Sequence, residues 1–103
     1  MDGNAFTQLI KDESRDFAID WAEGSNIGVS AAAQKWVLAL SKEERSFLRE
    51  VITESVDISL LKLFEIMDGV HSKKSKPIEA TCGSDKISGP GCSQLHDLYA
   101  SKI

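Results

Sequence analysis

Residues 41–69 read SKEERSFLREVITESVDISLLKLFEIMDG, and the two ends of that stretch decide what lies between them. Ser41 opens it: its hydroxyl is placed to accept the backbone N–H of Glu44, and the Glu44 carboxylate to reach back to the amide of Ser41, the capping box that starts a helix. Asp68-Gly69 closes it, because glycine enters the left-handed conformation that ends a helix without a Cβ penalty. The spacing predicts one helix over 42–68. Around its axis Phe47, Leu48, Val51, Ile52 and Val56 fall on one half of the cylinder, whereas Val56, Leu60, Leu61, Leu63, Phe64 and Met67 fall on a sector turned by roughly a third of a revolution. A straight helix of this length runs about 40 Å, while a compact chain of this size has a radius of gyration of about 13 Å. The helix is therefore expected to kink near Ser55 to Ser59, to protrude, or to bury its far half, Val56 to Met67, in other protein.

Before this stretch, residues 4–22 form a first predicted helix, with Phe6, Leu9, Ile10, Phe17 and Trp21 on one stripe and Lys11, Asp12, Arg15 and Asp16 elsewhere. Glu13 sits at the margin of the stripe, where it reaches water. Gly24 is a natural stop, and Ser25-Asn26-Ile27-Gly28 connects to a second helix over 27–40 that carries Val29, Ala32, Ala33, Trp36, Val37 and Leu40 at helical spacing. Trp21 and Trp36 are expected in the core.

After Gly69 the composition changes. His71 to Lys76 is polar and basic, a solvated loop. Residues 77–88 read as a hairpin: Pro77 to Cys82 alternates in part, Gly83-Ser84-Asp85 is turn chemistry, and Lys86-Ile87-Ser88 returns. Such a hairpin is marginal alone and must lie on the helices. Gly89-Pro90-Gly91 forces an exit, and Ser93 is the expected cap of a short helix over 93–101 that turns Leu95, Leu98 and Tyr99 inward. The expected architecture is α+β and mostly helical: a three-helix body, a small C-terminal hairpin and a short terminal helix, in one domain over 1–103.

With 103 residues, 42% hydrophobic and 27% charged, the chain is long enough for a core and is not of disordered composition. Its net charge of −4 is uneven: residues 1–30 hold six acids against two bases, 31–70 seven against five, and 71–103 three against five. An acidic helical body argues against nucleic acid as a partner, since phosphate neutralisation needs a basic face. The sequence contains no run long and apolar enough to span a membrane and no secretory signal at Met1 to Asn4, which predicts a cytoplasmic protein with no membrane partner. In that setting Cys82 and Cys92 are expected as thiols.

Asp57 is the residue with the most chemistry in view. It projects among Leu60, Leu61 and Phe64, where a carboxylate is costly unless it has a partner. It reads as an acid or base in a pocket, as the cap of a helix restarted at the kink, or as the mate of an Arg or Lys across a helix interface. Cys92 and His96, four apart on the last helix, share a face, and could join Cys82, His71 or Asp97 in a metal site or act as a thiol and base pair. The spacing lacks the paired short knuckle of a zinc site, and the commoner reading is a small buried cysteine beside an exposed histidine. No phosphate loop, nucleotide fingerprint, serine elbow or His-Glu zinc helix occurs, so no cofactor, resident metal or catalytic residue is assigned and an enzyme is disfavoured.

Leu40-Ser41-Lys42-Glu43-Glu44-Arg45, the run Phe64 to Gly69 and the terminal Leu95-His96-Asp97-Leu98-Tyr99 together resemble a loose class of small bacterial α+β proteins of no established activity. The resemblance spans most of the chain, rests on structural residues and carries over no catalytic residue. It implies the layout of helices, hairpin and short helix. Some proteins of this size and acidity act as immunity or antitoxin partners, an analogy at the level of fold and charge. The function expected is a protein–protein interaction module, immunity- or antitoxin-like, whose acidic surface speeds encounter with a basic partner. The alternative is a small-ligand or metal-binding domain using Asp57 or the Cys82, Cys92 and His96 group. A homodimer through Leu60, Leu61, Phe64 and Met67 is compatible with either.

Overall fold

The computed structural model describes residues 1–23, 30–70 and 76–103. The fold is α+β and mostly helical. Helix α1 (Gly3–Ile10) starts at Asp2, whose carboxylate accepts the amide of Ala5, and passes through a π turn (Lys11–Arg15) into α2 (Asp16–Ala22). Helix α3 (Ala31–Ala39) is capped by Ser30, whose hydroxyl accepts the amide of Ala33. The expected start of this helix at 27, the Gly24 stop, the 25–28 connection and residues 71–75 of the basic loop lie outside the described residues.

Helix α4 (Lys42–Asp68) has the capping box at its start and Gly69 at its end with φ 74°, both as the local chemistry requires. Its 27 residues are one continuous helix, so the kink expected at Ser55 to Ser59 does not form. The hydroxyls of Thr53 and Ser55 donate to the carbonyls of Arg49 and Val51 one turn back, which satisfies them without opening the ladder. Nor is Val56 to Met67 enclosed: Ile58, Leu63 and Ile66 face solvent. The remaining expectation, protrusion, is what occurs. The molecule measures 50 × 30 × 23 Å with a radius of gyration of 16.6 Å, well above that of a compact chain.

The hairpin pairs β1 (Ala80–Cys82) with β2 (Asp85–Ser88), Cys82 opposite Asp85 and Thr81 opposite Lys86, and turns through Gly83 and Ser84. A bulge follows, because Ala80 pairs with Ser88 and leaves Ile87 without an opposite residue. The bulge lets two consecutive residues, Ile87 and Ser88, both face inward, where strict alternation would expose one. Hydrogen bonds tie the hairpin down as its marginal size demands: Ser88 Oγ donates to the Ile78 carbonyl at 2.6 Å, and the Ile78 amide to Met67 at 2.8 Å.

The core lies at one end of α4. Phe64, Ile87, Leu95 and Tyr99 are buried there, and Phe6, Ile10, Leu60, Leu61, Met67 and Leu98 pack against them. Phe64 meets Phe6 edge-on at 6.2 Å between ring centroids and Tyr99 at 5.3 Å. Gly3 lets α1 touch the hairpin, since a Cβ there would stand 2.7 Å from the Ile87 carbonyl oxygen. Leu60, Leu61, Phe64 and Met67 are thus engaged within the chain's own core.

Trp21 and Trp36, expected inside, lie at the surface, and so does Phe17, 65% exposed. For Phe17 and Trp21 the reason is the π turn. The Asp16 amide donates to the Lys11 carbonyl five residues back, so the turn absorbs one extra residue and everything after it loses about 100° of phase. The face that begins with Phe6 and Ile10 continues not as Phe17 and Trp21 but as Arg15, Ala18, Ile19 and Ala22, which are the half-buried or buried members of the segment. Trp36 is 57% exposed because α3 turns Val37 inward in its place.

Candidate functional site

The same π turn that expels Phe17 and Trp21 points Arg15 at α4. Arg15 Nε donates to Asp57 Oδ1 at 2.6 Å and Nη2 to Oδ2 at 3.1 Å, a two-bond clasp with both side chains about 15% exposed. Tyr99 completes it from α5 (Leu95–Ala100), its phenol donating to Asp57 Oδ1 at 2.6 Å. Of the three readings of Asp57, the geometry is that of a carboxylate paired across a helix interface. The chain around it extends outward: Arg15 Nη1 donates to Asp16 at 2.9 Å, and Lys11 Nζ to the other Asp16 oxygen at 3.0 Å.

The electrostatics follow from these contacts. Burial pushes the Asp57 carboxyl upward, but the bonds from Arg15 and Tyr99 outweigh it and hold the group below its usual range. Tyr99 is raised well above the ordinary phenol by burial and by the carboxylate it donates to. Arg15 is raised by Asp57 first. Asp16 is lowered, chiefly by Lys11. A carboxylate locked in this way has no proton to give near neutrality and its oxygens are occupied, which suits it to holding α1, α2, α4 and α5 together.

A second buried carboxylate, Asp68, joins the ends of α4 and α5. Its Oδ1 accepts the amide of Leu95 and its Oδ2 the amide of His96, both at 2.9 Å, and His96 Nδ1 lies 2.6 Å from Oδ2. Asp68 therefore caps α5 from another element, and Ser93, the expected cap, is replaced: the N-cap residue is Gln94 and it makes no side-chain cap bond. Sequence spacing marks Asp68 only as the end of α4, since its partner lies 27 positions away.

His96 is turned to Asp68, with Asp97 3.4 Å from Nε2, while Cys82 sits exposed on β1 and Cys92 half-buried before α5, both as free thiols. Among the described residues, no three of His, Cys, Asp and Glu gather at metal-ligating positions. His71, the other imidazole, lies outside them.

The outer end of the molecule has a different character. Beyond Phe17 and Trp36, the surface shows Leu38 on α3 at 59% exposure and Phe47, Val51 and Ile58 on α4 at 60–62%. No described helix is long and apolar enough to cross a membrane. Comparison of the chain with protein-family models, with curated proteins and with solved structures gives no match.

Proposed function

We propose that the protein is an interaction module that binds another protein through the outer end formed by α2, α3 and the first half of α4. The observation that carries this reading is the exposure of Phe17, Trp36, Leu38, Phe47, Val51 and Ile58, large apolar side chains spread over all three helices of one end. Single exposed apolar residues are ordinary, but such an accumulation at one end marks a surface meant to be covered. The net charge of −4 favours a basic protein as the partner, through faster encounter and rejection of acidic competitors. An immunity- or antitoxin-like role in the cytoplasm is the form of this proposal that best fits the size and acidity of the chain.

The alternative, a small-ligand or metal-binding domain, draws less support, because Asp57 is held by Arg15 and Tyr99 and His96 by Asp68. The two readings separate in one set of measurements. Retrieval of the tagged protein from its native host at low salt is expected to bring down one partner protein in stoichiometric amount, with amide protection on α2 to α4. No stoichiometric partner, together with bound metal or a ligand-induced thermal shift, would favour the alternative.

A further inference from the structure

On one face of the outer half of α4, Phe47, Val51 and Ile58 recur at i, i+4 and i+11, which places them within about 40° of one another at 100° per residue. They run about 16 Å along a straight helix. Glu43, Glu44, Glu50 and Glu54 project within about 80° of the centre of this stripe, and all four are exposed. The basic residues of the same segment project to the opposite side, where they are used inside the molecule: Arg49 pairs with Glu23 and Asp20 of the α2 region, and Arg45 donates to the Leu38 carbonyl. Glu43, Glu50 and Glu54 have no ion-pair partner among the described residues, and Glu44 is engaged only in the capping box. Charge is thus sorted across the helix, acids around the exposed apolar stripe and bases on the covered side.

Resting on the reading of the protein as an interaction module, we infer that this stripe is the seat of a cationic amphipathic helix of a partner protein, one whose apolar ridge lies along Phe47, Val51 and Ile58 and whose flanking Lys or Arg face the four glutamates. A straight, exposed helix with apolar residues at such spacing is matched by another helix packed along it. The charge decides which helix. A second copy of this chain laid antiparallel about Val51 would set Glu50 against Glu54 in both directions, a like-charge contact that opposes association. An anionic membrane surface is repelled for the same reason.

The test uses the intact protein and a fluorescent peptide of about 18 residues with Leu at i, i+4, i+7 and i+11 and Lys on both flanks. Anisotropy at low salt is expected to show this peptide binding about tenfold more tightly than a scramble of the same composition. Binding should weaken by about tenfold in a Glu50→Lys, Glu54→Lys variant and in a Phe47→Ser, Val51→Ser variant, both checked for unchanged helicity. Equal binding of the scramble, or unchanged binding by both variants, overturns the inference. So does a dimer in sedimentation equilibrium that Phe47→Ser dissolves, since the occupant is then a second copy. If the partner retrieved from the native host protects α3 but not amides 47–58, the interaction reading stands and the assignment of this stripe falls.

Discussion

Arg15 and Asp57, forty-two positions apart in the chain, meet through two hydrogen bonds of 2.6 and 3.1 Å, and Tyr99 closes the group by donating to the same carboxylate. The group links α2, α4 and α5 at the boundary between the buried end of the molecule and its protruding end. Asp57→Ala would leave a largely buried guanidinium and a buried phenol without their acceptor. The expected cost is about 2–4 kcal/mol, read from the shift of the urea midpoint at unchanged slope. A cost below about 0.5 kcal/mol would mean that the clasp does not hold in solution.

The pH dependence has two arms. Asp57 is depressed when folded, so the stability it supplies is present above the unfolded carboxyl range and is lost as pH falls through its folded value. Tyr99 is raised when folded, so its contribution is full below about pH 10 and is lost as pH rises toward the folded value. Tyr99 is the single tyrosine of the chain, so absorbance near 295 nm reads it alone. The expected trace is one late ionisation that coincides with unfolding, and an earlier one in Asp57→Asn. An ordinary phenol titration in the folded protein would contradict the geometry.

The π turn makes a prediction that a regular helix would not. Because the turn carries one residue beyond the α repeat, deleting the exposed Glu13 should let 11–15 relax to α-helix while Arg15, Ala18, Ile19 and Ala22 keep their facing. Melting temperature is expected to be unchanged or higher. Deleting Phe17 instead would rotate Ile19 by about 100° out of the interior and should cost about 2 kcal/mol or more. Equal destabilisation by the two deletions would refute the phase argument.

Asp68→Ala removes the acceptor of two amides and the mate of the His96 ring at the start of α5. The expected loss is about 2–4 kcal/mol, with increased hydrogen exchange over 95–100 before other helices respond. Ser93→Ala, at the cap position suggested by local sequence, should change stability by less than about 0.5 kcal/mol.

Gly3→Ala would bring a methyl against the Ile87 carbonyl oxygen at 2.7 Å, where backbone has little room to retreat. A loss of about 1–3 kcal/mol is expected by thermal or chemical denaturation, although alanine is the better helix former.

Much of the fold is legible along the chain because its signals act over a few residues. Ser41 and Glu44 cap each other across three positions, Gly69 ends α4 through its own backbone freedom, and Gly83 and Ser84 turn the hairpin. Asp57 stood out for a similar reason, since a carboxylate among Leu60, Leu61 and Phe64 requires a partner. Which partner was not legible. Arg15 faces Asp57 only because the π turn shifts the phase of the helix, and the five consecutive polar residues from Lys11 to Arg15 are the one local trace of that turn. Asp68 as the cap of α5 leaves no local trace at all.

The sequence by itself determined where helices and turns begin and end, because capping and left-handed glycine are settled by neighbours within one turn of chain. Only the tertiary structure decided which faces are covered. The phase of α2, the exposure of Phe17, Trp21 and Trp36, and the straight run of α4 through Ser55 to Ser59 depend on contacts between residues tens of positions apart. A single π turn, worth one residue of register, reverses the inside and outside of everything that follows it in its helix.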